Sequence, residues 1–222
     1  MVQGQAVTQE RNAALSTIFF NWASNEPDAA LAFLKSSSSL NDTSSALRKA
    51  ALAGWAKSEP EAAVNASLAL SKANNDPAQF ANTLANWATV DLEASSQWLL
   101  EKLPPGIERT TTVEVLATIF AQQSPQAAVV WLGKLSAGDE RNGFASRLVA
   151  EWSRNDPAGA MQWAATQTSS NLSPEAMKRG GRNFAMQDPA TFQAWHAALP
   201  AGPLKEMMNE VEGLKVAEKD DE

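Results

Sequence analysis

The sequence predicts an all-α protein: a right-handed α-solenoid of about six helix-turn-helix repeats, with about twelve helices, and a C-terminal capping helix. An aromatic phrase recurs every 32 or 33 residues. The composition is rich in Ala and poor in Gly, which favours helix. A proline divides most copies of the phrase into two helical halves. Helix pairs of this length cannot bury their apolar faces alone, so we expect them to stack around a continuous core.

Two aromatic columns define the repeat. Position zero is always Trp or Phe, and position eleven is aromatic in five of the six copies, with Ala66 as the exception. All eight tryptophans fall in these columns, whose members are Trp22, Trp55, Trp87, Phe120, Trp152 and Phe184, then Phe33, Trp98, Trp131, Trp163 and Trp195. We predict that they are core residues where neighbouring helices pack. Exposed Trp faces that stack on sugars or proline-rich peptides are the alternative.

The break between the two helices of a pair lies at position five, which is Pro in five copies and Leu92 in the third. The residue before proline is disfavoured in a helix, and proline is well tolerated at the first helical position. Asp156 is therefore predicted to cap the second helix of the fifth pair by accepting a bond from its free backbone N–H groups. The same role suits Asp91, Ser124 and Asp188, whereas Glu26 and Glu59 are poorer caps.

The periodicity predicts a single solenoid domain over residues 1–217. Its repeats cover approximately 8–40, 41–74, 75–106, 107–138, 139–172 and 173–202. Apolar residues at helical spacing after Pro203 predict a helix over 203–217 that caps the last repeat. A Met-rich helix that binds a partner is the alternative interpretation. Residues 218–222 are predicted to be disordered.

The repeat resembles those of known helical solenoids. Its period and helix-pair layout are similar to tetratricopeptide-like proteins over about residues 10–200, although no Gly-and-Tyr pair follows the first Trp and the proline lies between the helices of a pair. The phrase Trp-Ala-x-x-Asp-Pro-x-Ala-Ala-x-x-Trp-Leu resembles a helical repeat found in many bacterial proteins. The resemblance implies the architecture and a bacterial origin, and it carries over no catalytic residue.

Composition excludes several classes of protein. The chain has no cysteine, which excludes disulfides, thiolate metal sites and a cysteine nucleophile. The net charge of −7 lies mostly in the C-terminal tail, and no basic stripe points to nucleic acid. No apolar run approaches the roughly 18–20 residues of a membrane span. The start, MVQGQAVTQE, does not read as a signal peptide. We expect a soluble protein of the bacterial cytoplasm or periplasm, and a removed signal or anchor is compatible with the sequence.

Departures from the phrase are the candidate functional positions: Leu92, Ala66, Gly180–Gly181 with Phe192, His196 and the C-terminal helix. The stretch KRGGRNF at residues 178–184 is too short for a known phosphate-binding loop. We predict instead that Phe192 fills the space that the two glycines leave. The charged side chains of Lys178, Arg179 and Arg182 are predicted to form a solvated face, or at best a secondary anion contact.

His196 is the only histidine. It stands at position twelve, where other copies have Leu34, Leu99 and Leu132. The sequence places no carboxylate and no Ser or Cys partner near it, so it does not form a catalytic constellation. A single histidine also makes a histidine metal site unfavourable. We predict a packing position at the end of the stack.

The sequence therefore predicts a non-enzymatic scaffold that binds a protein or peptide on the curved surface of a solenoid, with no catalytic, cofactor-binding or metal-binding residue. Fold-level analogy is the basis of this expectation. A monomer is favoured over an obligate oligomer. The alternatives are a structural spacer or fragment of a larger envelope-associated solenoid, and a carbohydrate-binding module with exposed Trp faces. The partner-binding residues stay unknown because the sequence does not show which helix of each pair faces inward.

Overall fold

A computed structural model describes residues 2–37, 43–167 and 172–220, with side chains for 8–37, 43–167 and 172–213. These ranges contain thirteen α-helices and no strand, which confirms the all-α class. The helices are α1 (Val2–Ala23), α2 (Pro27–Ser36), α3 (Ser44–Ser58), α4 (Pro60–Asn74), α5 (Pro77–Val90), α6 (Leu92–Lys102), α7 (Ile107–Gln123), α8 (Pro125–Leu132), α9 (Asp139–Trp152), α10 (Pro157–Ala165), α11 (Pro174–Gln187), α12 (Pro189–Ala198) and α13 (Pro203–Asp220).

The predicted break within each pair is confirmed. Each proline at position five is the first residue of a second helix, and Leu92 begins α6 in the third pair. Asp156 Oδ1 accepts a hydrogen bond from the Gly159 backbone N–H at 2.9 Å. The other predicted caps, Asp91, Ser124 and Asp188, accept equivalent bonds from their helices. Local chemistry alone therefore fixes where each pair bends.

Glu26 and Glu59 make no side-chain cap, in agreement with the prediction that they are poorer caps. Each carboxylate instead accepts a bond from the indole N–H of the Trp at position zero. Trp22 Nε1 lies 3.3 Å from Glu26 Oε2, and Trp55 Nε1 lies 3.2 Å from Glu59 Oε2. Asp156 does both, because its second oxygen accepts from the Trp152 indole at 3.2 Å. The acid before the proline thus also satisfies the polar edge of the aromatic residue that closes the first helix.

The chain forms two compact units, residues 1–115 and 116–222. In the first, α1 packs on α2 and α3, α3 packs on α4 and α5, and both α2 and α4 pack on the next first helix. In the second, α9 packs on α10 and α11, and α11 packs on α12 and α13. Neighbouring helices therefore pack in pairs and pair on pair within each unit. A single solenoid domain over residues 1–217, and its right-handedness, stay predictions.

The two aromatic columns meet inside each helix pair. Ring centroids of the position-zero and position-eleven residues lie 5.4 to 6.4 Å apart in all pairs except the second, where position eleven is Ala66. Five of the six residues at position zero are buried, and Trp22 is half-buried. Position eleven is more varied: Trp98 and Trp131 are buried, Trp163 and Trp195 are half-buried, and Phe33 is 47% exposed. The prediction of a core role is confirmed except at Phe33.

The C-terminal helix α13 packs on α11 and covers it, as predicted. Met208 and Val211 are 0% and 2% exposed. The helix continues to Asp220, beyond the end predicted at residue 217. The final two residues of the predicted disordered tail lie outside the described residues.

Candidate functional site

An apolar cleft of about 200 Å³ opens in the unit of residues 116–222. It lies where the end of α10 and the start of α11 meet the link between α12 and α13. Among the described residues that line it, Gln167 carries the one polar side chain. The apolar walls include Ala164, Ala165, Leu172, Leu199, Leu204 and Met207. A concave apolar surface with a single polar group has the character of a binding site.

One wall of the cleft is formed by Ala164, at position twelve of the fifth copy. Three copies have a buried Leu there, at Leu34, Leu99 and Leu132, whereas the second has Ser67, the sixth has His196 and the fifth has Ala164. Ala164 is 2% exposed, so the position itself is still interior. Replacing a buried Leu by Ala leaves unfilled volume when the surroundings do not collapse. Ala164 is thus one of the small residues that leave the cleft open, although Ser67 at the same position of the second copy is equally short and buried.

The far wall of the cleft is a rigid link. Gly202 has φ of +154°, a backbone conformation that favours glycine, and prolines stand on either side of the Ala201–Gly202 pair. Lys205 Nζ donates to the carbonyl oxygens of Leu199 at 3.0 Å and Ala197 at 3.3 Å, at the end of α12. These bonds satisfy carbonyl groups that a helix end leaves without partners. The link is held in place without filling the cleft.

None of the eight tryptophans is fully exposed to solvent. All eight are buried or half-buried. Trp87 and Trp98 border a second, more polar groove with Glu61, Glu101 and Lys102, yet they are only 7% and 6% exposed. A sugar-binding face would need one broad side of an indole ring open to solvent.

The predicted exchange of volume between Phe192 and the glycine pair is wrong. A methyl group on Gly180 would lie 2.5 Å from Met161 Sδ of α10, and one on Gly181 would lie 2.5 Å from Met208 Sδ of α13. Phe192 is not among the atoms nearest to either glycine and packs on Phe184, with ring centroids 5.6 Å apart. The glycines make room for two buried methionines from neighbouring elements, because methionine fills irregular gaps between helices.

His196 does have a carboxylate neighbour, which corrects the expectation from sequence. Its Nδ1 lies 3.0 Å from Glu212 Oε2, and its Nε2 lies 2.9 Å from Asn209 Oδ1, both on α13. The ring also stacks on Phe192 and is 7% exposed. Because both ring nitrogens contact groups of α13, neither is directed to a substrate. The predicted packing role is therefore confirmed, while its place at the end of a stack stays a prediction.

The three basic residues of the KRGGRNF stretch lie in two different environments. Lys178 Nζ forms an ion pair with Glu210 Oε2 of α13 at 2.5 Å, while Arg179 and Arg182 are exposed. The predicted solvated face is thus confirmed for the two arginines, and the lysine joins α11 to α13. Ala66 and Leu92 are half-buried and take part in ordinary helix packing.

Among the described side chains, no group of three or more His, Cys, Asp or Glu residues could hold a metal ion. Within the same ranges, no helix is long and apolar enough to cross a membrane. No family model, no curated protein and no solved structure matches the chain.

Proposed function

We propose that this chain is a non-enzymatic scaffold in which stacked helix pairs form a solenoid that binds a protein or peptide. The cleft beside Ala164 carries the proposal, since it is the described concave surface whose chemistry fits such a ligand. The packing of helix pair on helix pair within each of the two units supports the solenoid. Solenoids of helix pairs offer extended surfaces that suit protein and peptide partners.

The size and chemistry of the cleft define the ligand. Small-molecule sites commonly enclose about 300–1,000 Å³, so a cleft of about 200 Å³ is small for a cofactor or substrate. An apolar cavity of about 150 Å³ accommodates a benzene ring. The cleft therefore fits one aromatic or long aliphatic side chain of a partner. Gln167 at its edge has an amide that can pair with the partner's backbone.

A selection of displayed peptides on the full chain tests the proposal. We expect the selected peptides to share one Leu, Met, Phe or Trp anchor. Ala165→Trp, at an exposed position in the cleft wall, should weaken them at least about tenfold, or about 1.4 kcal/mol. Ala127→Trp, at an exposed position of α8 in the same unit, is the matched control and should leave binding unchanged.

The outcomes separate the alternatives. Peptides that bind both variants equally would show that the cleft is not the site. A failure to select any peptide with an apolar anchor would favour the structural spacer. Binding of oligosaccharides by the unmodified chain, lost on Trp substitution without loss of fold, would favour the carbohydrate module.

A further inference from the structure

The ring of His196 has a hydrogen-bond acceptor of α13 beside each of its nitrogens. Its Nδ1 lies 3.0 Å from Glu212 Oε2, and its Nε2 lies 2.9 Å from Asn209 Oδ1. A neutral imidazole has one N–H donor, whereas the protonated ring has two. Both contacts are therefore hydrogen bonds only when the ring is protonated. When the proton leaves, the attraction between the ring and the Glu212 carboxylate is lost and Asn209 must turn its amide.

The burial of the ring strengthens its dependence on these two partners. His196 is 7% exposed and stacks on Phe192, with ring centroids 5.7 Å apart. Water therefore has little access to replace a lost contact. The side chain of Glu212 is 42% exposed, so solvent partly screens the attraction between the two charges. We expect a measurable but modest effect of protonation.

The other charged groups near this contact have partners of their own or face solvent. Among the described side chains, Glu212 is the charged group that contacts the ring. The remaining ones on α11 and α13 are Lys178 and Glu210, which pair with each other, Lys205, which donates to carbonyl oxygens at the end of α12, and the exposed Glu175, Arg179, Arg182 and Glu206. Protonation of His196 is thus read mainly by Glu212 and Asn209.

The helix that contacts the ring is also a wall of the cleft beside Ala164. Leu204 and Met207 of α13 line the cleft, and Asn209 and Glu212 follow them within two turns of the same helix. Parts of a folded chain can separate locally at a lower free energy than global unfolding. Separation of α13 would remove this wall of the cleft.

We propose that protonation of His196 clamps α13 in place, and that α13 is a pH-controlled lid that forms the cleft. The proposed peptide as the ligand of this cleft rests on the function proposed above, whereas the clamp itself does not. The charged ring stabilises the docked helix, so this stabilisation is present below the pH of about 6.5 at which imidazole ordinarily titrates and is lost as the pH rises. It is also lost in acid, near a pH of about 4, where carboxylates ordinarily become neutral.

Hydrogen exchange of the full chain at pH values of about 5.5 and about 8 tests the clamp. Protection factors of the α13 amides, corrected for the intrinsic effect of pH on exchange, report the local separation of this helix. We expect protection of α13, relative to that of α9 in the same unit, to fall about fivefold between the two pH values.

Three variants assign the effect to the ring and its acid. His196→Leu introduces the residue that three other copies have at position twelve, and it should abolish the fall in protection. Glu212→Gln removes the counter-charge and should reduce the fall. Glu206→Gln removes an exposed acid from the same helix and is the matched control, which should behave as the unmodified chain. Constant relative protection in the unmodified chain, or the same fall in His196→Leu and Glu212→Gln, overturns the proposal.

A peptide selected on the cleft tests whether α13 is its lid. If the peptide binds only when α13 is docked, a free concentration of about ten times its Kd should raise the protection of α13 about tenfold relative to α9. An unchanged relative protection with bound peptide overturns the lid. If no peptide is selected, the proposed function fails, while the exchange experiment without peptide still decides the clamp.

Discussion

Helices α1 and α3 approach each other closely at Gly54. A methyl group added there would lie 2.8 Å from the carbonyl carbon of Phe20 and 3.0 Å from its Cα, and it would overlap the Phe20 carbonyl oxygen. Ser24 Oγ donates to this same oxygen at 2.8 Å and to the Gly54 carbonyl at 3.1 Å. The obstacle is backbone, so no side-chain rotation relieves it.

The expected effect of Gly54→Ala is the difference between two opposed terms. Replacing a helical glycine with alanine gains about 1 kcal/mol. Contact between carbon and oxygen or carbon normally needs about 3.5 Å, so the helices must separate by about 1 Å at this crossing. Overpacking costs typically about 1–3 kcal/mol and occasionally more. A rigid backbone obstacle places the cost at the upper end, which leaves a net loss of about 2 kcal/mol in the free energy of unfolding.

Thermal unfolding followed by far-UV circular dichroism measures this loss. For a chain of this length, about 2 kcal/mol corresponds to a Tm lower by roughly 4–8 °C. Gly213→Ala in α13 is the matched control, because a methyl group there meets no atom within 4 Å. It should raise stability by up to about 1 kcal/mol. If Gly54→Ala also raises the Tm, the close approach of α1 and α3 is wrong.

Three further predictions follow from burial and hydrogen bonding. Gln79 is 2% exposed and its Nε2 has no hydrogen-bond partner among the described atoms. Gln79→Leu should therefore raise the free energy of unfolding, measured in urea, by about 1 kcal/mol. A lower free energy of unfolding would show that the amide is hydrogen-bonded in the folded protein. Trp131→Ala should lower the free energy of unfolding by about 3–5 kcal/mol, because Trp131 is 3% exposed. Phe33→Ala, at a side chain that is 47% exposed, should lower it by about 1 kcal/mol. Equal losses of stability in the two variants would contradict the burial pattern. Hydrogen bonds from the Thr191 hydroxyl and backbone N–H hold the pKa of Asp188 below its ordinary value, so its stabilisation is present above a pH of about 4 and is lost as the pH falls through the lowered pKa. The difference in stability between the unmodified chain and Asp188→Asn should therefore shrink on acidification, and a difference that is constant with pH would refute the assignment.

The structural features that could be predicted from the sequence depend on residues that are close to one another along the chain. Proline at position five ends one helix and begins the next, and Asp156 caps it, because these effects act within one turn of the chain. The contact between the aromatic columns is also short in sequence. The distinction between Asp and Glu as caps was predicted correctly, although the bond from each indole to Glu26 and Glu59 was not.

The contacts that were not predicted from the sequence are those between residues of different helix pairs. The partners of Gly180 and Gly181 are Met161 and Met208, one from the preceding pair and one from the C-terminal helix. The prediction considered only side chains of the same helix pair and therefore placed Phe192 against the glycines, whereas Phe192 packs on Phe184. The carboxylate beside His196 was missed for the same reason, since it comes from α13.

The sequence by itself determined the helix pairs, their breaks and the aromatic residues that hold each pair together, because propensity, capping and periodicity are local properties. Only the tertiary structure decided where one pair contacts the next, which glycine packs against which methionine and where the cleft opens beside Ala164. Those outcomes depend on how side-chain volumes meet across helices that are distant in the sequence. Packing is a property of all the surfaces together.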